Sequence, residues 1–134
     1  MSRRNSYTGK YKLTKEEFLS AKYYALRYQA WIQEYNALKD AVKAIQYGDK
    51  TTGGPSDSST ERLAIRREEL SRKVRIIEEA AREADMELQW YLLKAATCEG
   101  ITFHHLKTMY KMPCERDMYY DRRRKFYWIL SKKI

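Results

Sequence analysis

Glycine and proline are scarce in this chain, at five and two among 134 residues. An all-β chain of this length needs a turn every ~8–12 residues, so the shortage argues for helices. No stretch of 18 apolar residues occurs, which excludes a membrane-spanning helix by sequence. Met1-Ser2-Arg3-Arg4 is followed by no apolar run, so no secretory leader is expected. Cys98 and Cys114 are the only cysteines. A disulfide framework is therefore not expected, and a reducing, cytoplasmic setting is. What the chain does have is 43% hydrophobic residues, enough for a core, and 34% charged residues.

The net charge of +9 is unevenly spread. Residues 1–13 carry Arg3, Arg4, Lys10 and Lys12 with no acid, and residues 101–134 carry nine bases against three acids. The stretch between them is almost neutral, with fourteen bases and fifteen acids. Excess confined to short segments makes a local positive field that draws polyanions. The N-terminal arm reads either as a solvated tail or as a phosphate-touching arm.

Thr14-Lys15-Glu16-Glu17 has the capping-box form. From Ala21 onward, Tyr24, Tyr28, Trp31, Tyr35, Leu38, Val42 and Ile45 follow at alternating steps of three and four, up to Gly48. That period of about 3.5 predicts one long helix packed along a second. Residues 48–60 are polar, hold three of the five glycines, and predict a mobile loop. They lack the Gly-x-x-x-x-Gly-Lys-Ser/Thr spacing of a phosphate loop and follow a helix, not a strand. A second long helix is expected from Ser59 or Thr60, with Leu63, Leu70, Val74, Ile77, Ala81 and Ala84 as its stripe and Ile65 and Ile76 flanking. The two should form an antiparallel hairpin over residues 14–84. Its Tyr/Trp stripe reads as core, not as a cofactor wall.

The last third differs. Asp85 is placed to cap a helix with Leu88, Tyr91, Leu92 and Ala95 inward, ending at Glu99-Gly100. Thr102 caps a short helix from Phe103 to about Lys111, with Leu106, Met109 and Tyr110 inward, and Met112-Pro113 breaks it. A last helix runs from Cys114 or Glu115 to about Lys132, with Tyr119, Phe126, Ile129 and Leu130 inward and Met118 alongside. Helix, glycine turn, capped short helix, break and long basic helix is a helix-turn-helix layout. In that layout Glu115, Arg116, Tyr120 and Arg123 face base edges. Arg116, Tyr120 and Arg123 share one helical face, and arginine can grip guanine with a two-pronged fork. Arg122, Arg124 and Lys125 suit phosphate, with Thr102, Lys107 and Lys111 on the flanking backbone.

Residues 85–134 resemble phage and prophage transcriptional regulators of the RinA/ArpU type, whose helix-turn-helix is similar to sigma-70 region 4. The resemblance rests on Glu99-Gly100-Ile101-Thr102-Phe103-x-x-Leu106, on Met112-Pro113, and on Met118-Tyr119-Tyr120-Asp121-Arg122-Arg123-Arg124-Lys125-Phe126. It implies binding to promoter DNA and control of late phage genes. Lys111 stands where such units often have Gly, and Pro113-Cys114 where a Ser cap is usual. The base-contact register therefore stays open.

Chemistry of other kinds is poorly provided for. Cys98, His104, His105 and Cys114 do not have a common zinc spacing. No nucleophile triad or HExxH motif occurs, so neither an enzyme, a cofactor nor a metal is expected. The expected architecture is all-α: a basic arm (1–13), a helical hairpin (14–84) and a helix-turn-helix unit (85–134). Expected partners are double-stranded DNA, RNA polymerase and a second copy of the chain, with no membrane. The alternative is a non-enzymatic adaptor or phage structural protein whose hairpin binds a protein.

Overall fold

The computed structural model describes the backbone of residues 10–47 and 56–134, and the side chains of 10–44 and 59–134. Every regular element among them is helical: α1 (Lys15–Leu26), α2 (Tyr28–Tyr47), α3 (Ser56–Ala84), α4 (Gln89–Thr97), α5 (Phe103–Tyr110) and α6 (Arg116–Lys133). The protein is all-α, as its low glycine and proline content implies. The arm at 1–9 and most of the expected loop, 48–55, lie outside the described residues.

Two compact units are present. Among the described residues, the first joins 10–28 to 76–134, and the second holds 29–47 and 56–75. In the first, α1 starts as its capping box dictates. The Thr14 hydroxyl accepts from the Glu17 amide at 3.0 Å, and Glu17 accepts from the Thr14 amide at 2.9 Å. Ala21 and Ala25 are fully buried, small enough for α1 to lie close against α4 and α6. Phe18 meets Tyr127 edge-on, with ring centroids 5.2 Å apart. Ile77, Ala80, Ala81 and Ala84 of α3, Leu88 and Leu92, Leu106, and Phe126 and Leu130 complete the core. The Tyr28 hydroxyl donates to Glu78 at 2.5 Å. Burial first, then this carboxylate, pushes the phenol well above its ordinary pKa.

In the second unit α2 and α3 run antiparallel. Lys73 lies over the Trp31 ring, Arg67 over Tyr35, and Arg66 pairs with Glu34 at 2.9 Å, so rising numbers on α2 meet falling numbers on α3. Trp31, Val42 and Leu70 are buried, and exposed pairs such as Arg66–Glu34 add little beyond register.

Several boundaries differ from the sequence expectation. The first long helix is interrupted at Arg27, whose amide bonds back three residues to Tyr24 at 3.2 Å. The tightened turn lets Ala21 and Ala25 face α6 and α4 while Tyr28 reaches Glu78. The second helix starts earlier, at Ser56. Asp85 caps the turn before α4: its Oδ1 accepts from the Glu87 and Leu88 amides, both at 2.9 Å. α4 then ends at Thr97, and Gly100, with φ +86°, supplies the left-handed turn two residues beyond the extended Cys98. Met109, Met118 and Ile65 are exposed, whereas Tyr127 is buried, because α1 covers its side of α6.

Candidate nucleic-acid interface

The interface is built from α5, α6 and the turn between them. Thr102 caps α5, accepting from the His105 amide at 3.1 Å. The helix ends at Lys111, which takes φ 56° and ψ 42°, the left-handed region that side chains disfavour. The amides of Lys111 and Met112 both donate to the Leu106 carbonyl. Leu106 and Met112 are buried, so the turn is fastened to the core at both ends. Lys107 braces it from outside, donating to the Met112 carbonyl at 3.3 Å and lying 3.6 Å from Glu115. Cys114 is buried in the same turn, and burial pushes its thiol pKa up.

Glu115 is the N-cap of α6 and keeps its side chain in solvent, with no capping bond. Arg116, the first helical residue, is exposed, and its guanidinium lies 4.9 Å from the Phe103 ring. Phe103 also meets Tyr119 and Tyr120, at 5.6 and 6.3 Å. The start of α5 thereby sets the angle of the first two turns of α6. Tyr119 is buried, and burial pushes its phenol up to about 12, partly opposed by Arg123. Arg123 packs on three rings: Tyr127 at 5.3 Å, Phe18 at 5.9 Å and Tyr120 at 6.0 Å.

Arg116, Tyr120 and Arg123 line one open concavity of about 560 Å³, joined by Arg124 and walled by Leu13, just before α1, and Phe18 in its first turn. Three of the four expected base-facing side chains are therefore gathered in one place. Asp117 and Asp121 share its rim. Asp121 is held by Arg122, whose Nε also donates to Asp85 at 2.9 Å. That leaves three arginines against one unengaged carboxylate.

The residues expected at phosphate fall into two groups. Arg122 is committed to Asp85 and Asp121 and ties α6 to the turn before α4, and Lys107 is committed to the turn before α6. Arg124 and Lys125 are half-exposed with no acidic partner among the described residues, and Lys111 and Thr102 are exposed. Leu13 and Phe18 were not singled out by sequence reasoning. The signal was present: an apolar residue just before the Thr14 cap and another four positions into the helix form a hydrophobic staple. Among the described residues no three His, Cys, Asp or Glu side chains are grouped to hold a metal ion. No helix among them is long and apolar enough to cross a membrane. No family model, curated protein or solved structure matches this chain.

Proposed function

We propose that this protein binds duplex DNA through the amino-terminal half of α6 and acts as a sequence-specific transcriptional regulator of the phage or prophage kind. One observation carries the reading. Arg116 and Tyr120 stand with Arg123 in a single solvent-open concavity, on a helix whose angle is fixed by a separately capped short helix. A major groove ~12 Å wide admits one helix with its side chains. Arg116 is the foremost arginine and has no carboxylate partner among the described residues, so its fork is free for a guanine edge. Arg123, held by three rings, positions Tyr120 and shapes the concavity. Arg124 and Lys125 supply phosphate contacts and affinity without sequence choice. Contact with RNA polymerase and pairing with a second copy belong to this reading as further partners.

The test is a binding-site selection from random duplexes, followed by titration of the selected and a random duplex. Arg116→Ala should lose ~1–3 kcal/mol on the selected site and little on the random one. Arg124→Ala should weaken both alike. Equal behaviour of the two variants would remove the division between reading and anchoring. Undetectable duplex binding at low salt would remove the function itself. It would leave the adaptor reading, which has the exposed Ile65 of α3 in its favour as an apolar contact.

A further inference from the structure

Trp128 lies on the outer side of α6 with its ring half exposed. Helical spacing sets Arg124 and Lys125 one turn before it and Lys132 one turn after it. The Lys132 ammonium is 5.3 Å from the indole. Tyr11, in the segment leading into α1, brings its ring to 5.5 Å from the same indole, and the Lys10 ammonium lies 5.3 Å from the Tyr11 ring. Leu13 is buried. The segment 10–13 is thus held at Tyr11 and at Leu13, while Lys10 and Lys12 remain exposed. Lys132 thus lies on the indole and Lys10 on the ring that packs against it, with Lys12 exposed on the same fastened segment and Arg124 and Lys125 one turn earlier on α6. Asp121, the acid two turns earlier on this side of α6, is already engaged by Arg122.

We propose that Lys10 and Lys12, on the segment that Tyr11 fastens to Trp128, form with Lys132 a second phosphate-binding surface that extends the α6 interface along duplex DNA. The inference rests on the reading of α6 given above. Two features select this occupant. The patch is continuous with the proposed interface through Arg124, which lines the concavity with Arg116 and lies one turn before Trp128; Arg124 and Lys132 are eight residues apart on one side of α6, about 12 Å at 1.5 Å per residue. A duplex presents one negative charge per ~1.7 Å of its axis, so a strip of that length meets phosphates throughout. An anionic lipid surface has the same sign. However, Phe126 and Leu130 are spent on the core, leaving a lone indole to insert.

The full chain, titrated on a random-sequence duplex over a range of salt, tests this. The combined variant Lys10→Gln, Lys12→Gln, Lys132→Gln should reduce the slope of log affinity against log salt by about 2–3, at ~0.9 per phosphate contact. Its preference for the selected site over the random one should be unchanged. A charge-matched control, Lys39→Gln, Lys43→Gln, Arg62→Gln, removes exposed cations from the other unit and should leave the slope intact. A parental slope in the first variant would overturn the surface while leaving the function of α6 standing, as would an equal fall in the control. A parent that fails to bind duplex would overturn both. Binding to phosphatidylserine vesicles that needs these lysines, with duplex binding indifferent to them, would assign the patch to lipid and overturn the proposal.

Discussion

Tyr119 shows how a single side chain can tie the interface to solution conditions. Its ring supports Phe103 and Tyr120, and burial pushes its phenol up to about 12. An unfolded tyrosine loses its proton near 10, so the unfolded chain ionises first. The resulting stability is fully present below pH ~10 and is lost as pH rises toward 12. The unfolding free energy from urea titrations at pH 9 and above should therefore fall, by about 1–3 kcal/mol from this residue. Tyr119→Phe should flatten part of that fall. It would not flatten all of it, because burial also raises Tyr28 and Tyr127. An unchanged alkaline profile in the variant would show that this hydroxyl is not held in apolar surroundings. Sequence periodicity correctly placed Tyr119 inward, but it also placed Met109 inward, and Met109 is exposed. Apolar spacing marks a face, and only the neighbouring elements decide how much of that face is covered.

At the scale of the element, the α5–α6 turn concentrates strain in one residue. Lys111 occupies a left-handed conformation that costs a side chain roughly 1 kcal/mol and glycine almost nothing. Lys111→Gly should raise stability by about 0.5–1 kcal/mol, read as a higher melting temperature. If Lys111 also touches phosphate, the same variant should bind all duplexes slightly and equally less well. A lower melting temperature would mean that the lysine side chain secures the turn. The turn was legible in sequence because Met112-Pro113 announces a break and Thr102 a start. The interruption at Arg27 was not, since arginine is a good helix former and no Gly or Pro stands near it. It comes from tertiary demands: buried alanines on one side and the Tyr28–Glu78 bond on the other.

For the whole molecule, the sequence bounded a helix-turn-helix unit at residues 85–134, whereas the compact unit that holds it also draws, among the described residues, on 10–28 and 76–84. Leu13, Ala21, Ala25 and Ile77 belong to its buried core. A fragment of residues 85–134 should therefore be largely unfolded, with weak helical circular dichroism and no cooperative melt. A sharp melt from that fragment would show that α1 is dispensable. No local pattern could disclose this pairing, because the partners are about a hundred residues apart and each helix looks complete by itself. The charge distribution offered a hint. Lys10 and Lys12, from the basic amino-terminal stretch, flank Tyr11, which rests on Trp128 of the basic last helix.

The packing of α1 on α6 also sets an order of events during biosynthesis. The α2–α3 pairing within residues 29–75 can form as soon as that stretch leaves the ribosome. The unit that contains α1 must wait, its first helix uncovered, until the final helix has been translated. Such distant pairings close late and slowly. A nascent chain stalled before Arg116 should thus offer Phe18 and the alanine face of α1 to chaperones until α6 emerges to cover them.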